Sequence, residues 1–386
     1  MEQKRFKNGG SANYLLYSAP HSLYVGRARS YLIKNNIQFE EYSIGHDTFR
    51  TQIVPVGKLP TIPTLVAPTG EVIRDGAAII EHFESAVDYP SYPKEPIQQF
   101  ISVLFDIIGV EGLRRPAMHY RWNFPEDNDD FLRYHFYSLM KANTSDRAVK
   151  VESVMEKLRG VTEMRGVSKD TEELVEALYL ELLDALNDHF ECAPYLLGGR
   201  PCIGDFGLIA PLYGHLGRDP YPSQLMKKRA PRVYRWVERM NRFDQDAPEY
   251  FDFGTDFFKS DEVPETLLTI LRVLSQDFIP ETRASANFLN TWLSRENPEE
   301  GSSAIFPLGS SLGSIDFQVR GKTITAIVVP YRHFQLQRLH RIYDDFDSIR
   351  QKQIGQLLDS CRMKDILSIR LERLIGRHDN LEIWLD

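Results

Sequence analysis

The chain has 386 residues, 42% hydrophobic and 26% charged, which is ordinary for a globular protein and too long for one average core. Its net charge of −8 and its lack of any long Lys/Arg run exclude a phosphate-tracking surface, so no nucleic-acid partner is expected. The three cysteines, Cys192, Cys202 and Cys361, lack CxxC spacing, which excludes a disulfide framework or a four-cysteine zinc site and fits a reducing compartment. Residues Met1 to Asn13 are basic but are followed by no apolar signal core, and no apolar run approaches the ~20 residues of a membrane helix. The expectation is a cytoplasmic protein with no membrane partner.

Tyr14-Leu15-Leu16-Tyr17 is a short apolar run ending at Ser18-Ala19-Pro20, a buried strand entering a turn. Ser22 precedes Leu23, Tyr24, Ala28, Tyr31 and Leu32, an apolar stripe at helical spacing. Phe39 to Ile44 alternates as a second strand, giving a βαβ unit that gathers ligands at its strand ends. Ile62-Pro63 opens the next strand, Pro68-Thr69-Gly70 closes a hairpin between Thr64–Val66 and Val72-Ile73, and Asp75-Gly76 starts a helix with Ala77, Ile79, Ile80 and Phe83. From Pro96 to about Glu249 the pattern is helical: Phe100, Val103, Leu104, Ile107, Ile108 and Leu113 form one broad apolar face. An aromatic and cationic cluster follows at Met118-His119-Tyr120-Arg121-Trp122.

In this order the residues from Tyr14 to about Met240 resemble a cytosolic glutathione S-transferase with a serine-type, zeta-like N-terminal motif. The resemblance also covers Tyr195 to Leu208, a buried-helix motif with Asp205 in place and Cys202 where the family has a capping hydroxyl. It implies an α/β, thioredoxin-like glutathione-binding domain at 12–88 and an all-α domain at 94–255. It further implies glutathione as co-substrate, no metal, a small electrophile as second substrate, and a homodimer.

Residue by residue, the resemblance makes Ser22 the thiolate stabiliser, with Ser18 and Tyr24 as alternatives and a simple helix cap as the plainer reading. Ile62 and Pro63 would hold the peptide backbone, the proline being cis in the family. Pro60 competes for this role, but Pro63 has the family's spacing to Asp75. Asp75 and Gly76 would hold the γ-glutamyl end. Gly76 stands where the family carries Ser or Thr, removing one hydrogen bond at a cost of about 1 kcal/mol. Met118, His119, Arg121 and Trp122 would line the second-substrate pocket, the alternative being that they are packing residues.

Residues 261–386 go beyond the family pattern and form an α+β extension. Two helical patterns follow Pro264, one through Leu274 and one around Phe288 to Leu293; Asn297 to Gly313 reads as a loop. Ser314–Val319 and Thr323–Val329 form a hairpin about Arg320-Gly321-Lys322, Phe334 to Tyr343 a helix, and Leu381 to Leu385 a final strand. His333, His340 and His378 lack a compact metal-ligand spacing. The extension is expected to pack on the helical domain or cover the active-site mouth. The function expected is addition of the glutathione thiolate to a small electrophile, as a transferase or isomerase in detoxification. A non-catalytic scaffold or a glutathione-dependent peroxidase are the alternatives.

Overall fold

The computed structural model describes residues 13–141, 145–244, 246–251, 253–305 and 311–386. The expectations for residues 1–12, and for 306–310 of the loop after Asn297, lie outside these. The first layer runs β1 (Tyr14–Ser18), α1 (Leu23–Lys34), β2 (Phe39–Ser43), α2 (Val54–Gly57), β3 (Thr64–Val66), β4 (Val72–Arg74) and α3 (Gly76–Glu84). The sheet order is β2-β1-β3-β4, with β1 and β2 parallel and the other pairs antiparallel. Because side chains alternate along a strand, Leu16, Leu65 and Ile73 meet Ala28, Leu32 and Ile79 on one face. Leu15, Tyr17, Val66 and Val72 meet Phe49 and Ile53 on the other. The π-helical turn Phe49–Ile53 that leads into α2 has no counterpart in the sequence reading.

The second layer is helical: α4 (Pro96–Gly112), α5 (Arg114–Trp122), α6 (Pro125–Ser138), α7 (Arg147–Met164), α8 (Glu172–Cys192), α9 (Ile203–Gly214), α10 (Pro220–Arg229) and α11 (Pro231–Met240). By length and hydropathy the stretch Pro96–Trp122 could cross a membrane, a feature the sequence reading passed over, yet 78% of its apolar window is buried inside the protein. Its position depends on two glycines. A Cβ on Gly109 would lie 2.4 Å from the Gly207 carbonyl carbon, and one on Gly207 would lie 2.3 Å from the Asp106 Cα. Backbone therefore meets backbone between α4 and α9, and no larger residue fits. At the start of α9, Asp205 Oδ2 accepts from the Cys202 amide at 2.9 Å while its Oδ1 accepts from the Trp236 indole at 3.0 Å. Cys202 is fully buried, and burial pushes its thiol well up from the usual range.

The third layer comprises α12 (Glu265–Glu296), β5 (Ser314–Val319), β6 (Lys322–Ile327), α13 (Tyr331–Asp344), α14 (Ser348–Ser360), β7 (Ile375–His378) and β8 (Leu381–Trp384). The two helical patterns after Pro264 are one helix that runs through Pro280. A proline inside a helix costs ~3 kcal/mol; here Phe278, Ile279 and Thr282 are buried on both sides of it, so tertiary packing prevails over local propensity. The hairpin about Arg320-Gly321 forms as expected. The final strand gains a partner, β7, through a tight turn in which Asp379 and Asn380 both have positive φ. This layer is not an appendage loosely set on the rest. Leu267, Leu271, Leu274, Leu336, Leu339 and Leu358 belong to the same core cluster as Phe100, Ile101 and Leu104 of α4.

Buried charges pin the layers together. Asp106 on α4 accepts from Arg27 of α1 at 2.6 Å and from Arg338 of α13 at 2.8 Å. Arg121 on α5 makes a bidentate pair with Asp219 at 2.6 and 2.8 Å and also donates to the carbonyls of His21 and Gly214. With Arg121 only 4% exposed and Asp219 fully buried, Arg121→Ala strands a carboxylate in the interior. The expected loss is about 3–5 kcal/mol of unfolding free energy, read by urea titration.

His21, His135, His189, His215 and His333 are all buried. Burial lowers each of them, His135 and His189 to about 4 and His333 to about 3, and neighbouring arginines add to this at His21, His135, His215 and His333. A depressed imidazole stabilises the fold above its ordinary value of 6.5 and loses that contribution as pH falls toward the folded value, because only the unfolded chain binds the proton. Urea titrations are therefore expected to show stability falling by several kcal/mol from about pH 6.5 to about pH 4. A flat profile contradicts buried, neutral histidines.

Candidate functional site

The β1–α1 loop is held at three points. Ser18 Oγ donates to Glu41 Oε1 at 2.7 Å, the His21 carbonyl accepts from Arg121 at 2.8 Å, and the α1 start packs against Gly214. A Cβ on Gly214 would lie 2.6 Å from the Leu23 Cα, so this approach too requires glycine. Ser22 occupies the N-cap position of α1 with extended backbone angles, and its side chain makes no capping hydrogen bond. The hydroxyl thus sits, partly exposed, at the positive end of a 12-residue helix without being used by that helix. The alternatives differ: Ser18 is buried and committed to Glu41, and Tyr24 is 40% exposed beside Arg114. Tyr17 is buried and bonded to Thr48 at 2.6 Å.

The Ile62–Pro63 peptide bond is cis, and the Pro63 carbonyl accepts from the Asp75 amide at 3.0 Å. This hydrogen bond ties the residue before β3 to the residue before α3. Asp75 has φ +87°, and its Oδ1 caps α3 by accepting from the Ala77 and Ala78 amides at 2.8 and 3.3 Å. A Cβ on Gly76 would lie 3.6 Å from the Tyr24 carbonyl oxygen and 3.7 Å from the Pro63 ring. The first turn of α1, Pro63 and the start of α3 therefore converge. That neighbourhood gives ordinary contact, so Gly76 is not demanded by space.

The second oxygen of Asp75 is also taken. Oδ2 accepts from the Tyr331 hydroxyl at 2.7 Å, across from α13. Burial raises the Asp75 carboxyl, but Arg377, Arg74 and the Tyr331 hydroxyl outweigh it and hold the group below the usual carboxylate range. Arg74 bonds Glu382 at 2.6 Å and the Asn380 carbonyl at 2.8 Å, while Arg377 bonds the other oxygen of Glu382 at 2.7 Å and the Arg74 carbonyl. The Asn380 side chain covers the open edge of β4, accepting from the Arg74 amide and donating to the Val72 carbonyl. A cleft of about 1080 Å³ lies between α3 and α13, lined by Arg27, Ala77, Ala78, Phe334, Arg338 and Arg377 among others. Sequence reasoning missed Tyr331, Arg377 and Asn380, because the contacts join residues some 300 positions apart.

The remaining candidates stand elsewhere. His119 is buried, with Nε2 2.9 Å from Glu176 and Nδ1 3.0 Å from Asn123. Trp122 packs with Leu132, Phe136, Val151 and Met155, and Met118 lies against the same cluster. These three side chains are engaged within the helical layer, whereas the buried Arg121 joins that layer to the β1–α1 loop through Asp219, Gly214 and His21.

No curated protein matches the chain. Among solved structures, a glutathione S-transferase from Methylobacterium radiotolerans, in complex with glutathione sulfonate, is similar at 15% identity; the match covers 61% of this chain and 93% of that one, with a TM-score of 0.37. A β-etherase from Sphingobium is similar at 15% identity, covering 62% and 99%, with a TM-score of 0.42. A glutathione transferase family member from Pseudomonas fluorescens with two glutathione bound is similar at 12% identity, covering 64% and 96%, with a TM-score of 0.38. Residues 16–91 match the family model of the glutathione S-transferase N-terminal domain, and residues 169–239 match that of the C-terminal domain. Matched in order on a thioredoxin-like layer and a helical layer, these two segments are glutathione S-transferase N- and C-terminal domains.

Proposed function

We propose that the chain is a glutathione-dependent transferase or isomerase that adds the glutathione thiolate to a small electrophile. One observation carries the reading: a serine hydroxyl, free of capping duty, at the N-terminus of α1, where that turn meets Pro63 and the start of α3. The matched glutathione S-transferase N- and C-terminal domains support the same chemistry at the level of the class.

In this reading the Ile62 main chain pairs with the cysteinyl backbone of glutathione, and the α3 start with Asp75 takes the γ-glutamyl end. Ser22 donates its hydroxyl hydrogen to the sulfur, and the positive end of α1 adds to the stabilisation, so the thiol ionises nearer neutral pH. The thiolate then attacks an electrophilic carbon. A C–S bond forms and, in transfer, the leaving group departs with its electron pair; in isomerisation the thiolate adds and is later expelled. A loop fixed at Ser18, His21 and Leu23 keeps the hydroxyl in place during this step. Met118, His119 and Trp122, engaged within the helical layer, and Arg121, which ties that layer to the β1–α1 loop, are left with structural roles.

Conjugation of glutathione to an aryl halide tests the proposal. Ser22→Ala is expected to lower kcat/KM about a hundredfold, in line with removal of a single preorganised donor, and to move the acidic limb of the pH–rate profile upward. Full activity with an unchanged profile in the variant contradicts the role given to Ser22.

A further inference from the structure

Resting on that reading, we propose that the C-terminal extension is part of the glutathione site, with Tyr331 and Arg377 binding the γ-glutamyl end and supplying the hydroxyl that Gly76 lacks. The geometry has three parts. First, Tyr331 Oη lies 2.7 Å from Asp75 Oδ2 and donates to it. A phenolic oxygen keeps acceptor capacity after donating, as does the carboxylate oxygen. An ammonium group placed between them is therefore received by two acceptors at once. Second, Arg377 lines the cleft beside α3 while held by Glu382 and the Arg74 carbonyl. A guanidinium offers five N–H donors, more than these two contacts use, which suits it to an α-carboxylate. Third, Arg27 lines the same cleft, is only 3% exposed, and its Nε has no hydrogen-bond partner among the described residues.

Charge arrangement points the same way. Glu382 is shared by Arg74 and Arg377, and Asp106 is shared by Arg27 and Arg338. Four guanidiniums thus meet two carboxylates, with Asp75 as a third acid nearby. A zwitterionic amino-acid end, ammonium toward Asp75 and Tyr331 and carboxylate toward Arg377, complements that pattern. The cleft, at about 1080 Å³, is lined by Ala77 and Ala78 of the first α3 turn together with Arg27 and Arg377, and so it opens next to the Asp75 cap. Glu71, Glu81, Asp88 and Asp345 line the same cleft, so it carries both signs of charge, as suits a zwitterion.

The test is isothermal titration of the full chain and two variants with glutathione and with its desamino analogue, in which hydrogen replaces the γ-glutamyl amine. Thermal unfolding midpoints are measured beside each titration. Tyr331→Phe is expected to weaken glutathione binding about tenfold, the size of one hydrogen bond to a charged group, while changing the analogue's affinity less than about twofold by the same reasoning. Arg377→Gln is expected to weaken both ligands. If the parent binds glutathione and Tyr331→Phe binds it equally well, the inference falls while the proposed function stands. Tighter binding by Tyr331→Phe marks the contact as a plug and also overturns it. No glutathione binding by the parent chain overturns the proposed function, and the inference with it.

Discussion

A single buried carboxylate ties this molecule together. Asp106 is 1% exposed and receives guanidinium groups from α1 and α13, elements more than 200 residues apart. Burying ions is costly, and the cost is met only when each charge finds its partners. Asp106 lies on α4 one turn before Gly109, where α4 and α9 touch backbone to backbone. The ion cluster and the glycine contact therefore fix the same stretch of helix, and the sheet layer and the C-terminal layer take their positions from it. Both cationic partners of this carboxylate, Arg27 and Arg338, also line the cleft between α3 and α13.

The same design recurs at the site. The β1–α1 loop closes on itself through the Ser22 amide and the Ala19 carbonyl at 2.9 Å, and Glu41, Arg121 and Gly214 each hold a different point of it. Those three belong to a strand, a helix and a helix end in two layers. The Ser22 hydroxyl is left without a structural duty on a loop that cannot drift. Asp75 is the opposite case: both oxygens are engaged, one by its own helix and one by Tyr331. A free donor and a carboxylate already engaged but with a lone pair to spare sit at two ends of one neighbourhood, the first suited to a sulfur and the second to a charged amine that joins an existing network.

Much of the fold was legible because it is local. Tyr14 to Ser18, the stripe from Leu23 to Leu32, the turn at Pro68-Thr69-Gly70 and the Arg320-Gly321 hairpin follow from period and turn chemistry within short windows. The failures are equally physical. Two helical patterns stand where one helix runs, because propensity is counted residue by residue, while the helix persists through Pro280 by burial on both sides. The β7 strand was missed because its turn, Asp379-Asn380, carries no glycine, although Asp and Asn tolerate positive φ. For the candidate site, the family resemblance singles out Ser22 and Ile62-Pro63, and the roles it implies for them are part of the proposed function. Arg121 looked like a substrate ligand because a lone arginine in a sequence shows no partner, and its four bonds are all to residues far along the chain. Tyr331 gave no signal, since its meaning depends entirely on Asp75.

Hydrogen exchange of the full chain, followed by mass spectrometry with and without glutathione, bears most directly on a peptide seated between the sheet layer and the C-terminal layer. Protection is expected together in segments containing Ile62 to Thr64, Asp75 to Ala78, and Tyr331 to Phe334. Protection absent from all three, or confined to the helical layer around His119 and Trp122, would contradict that placement.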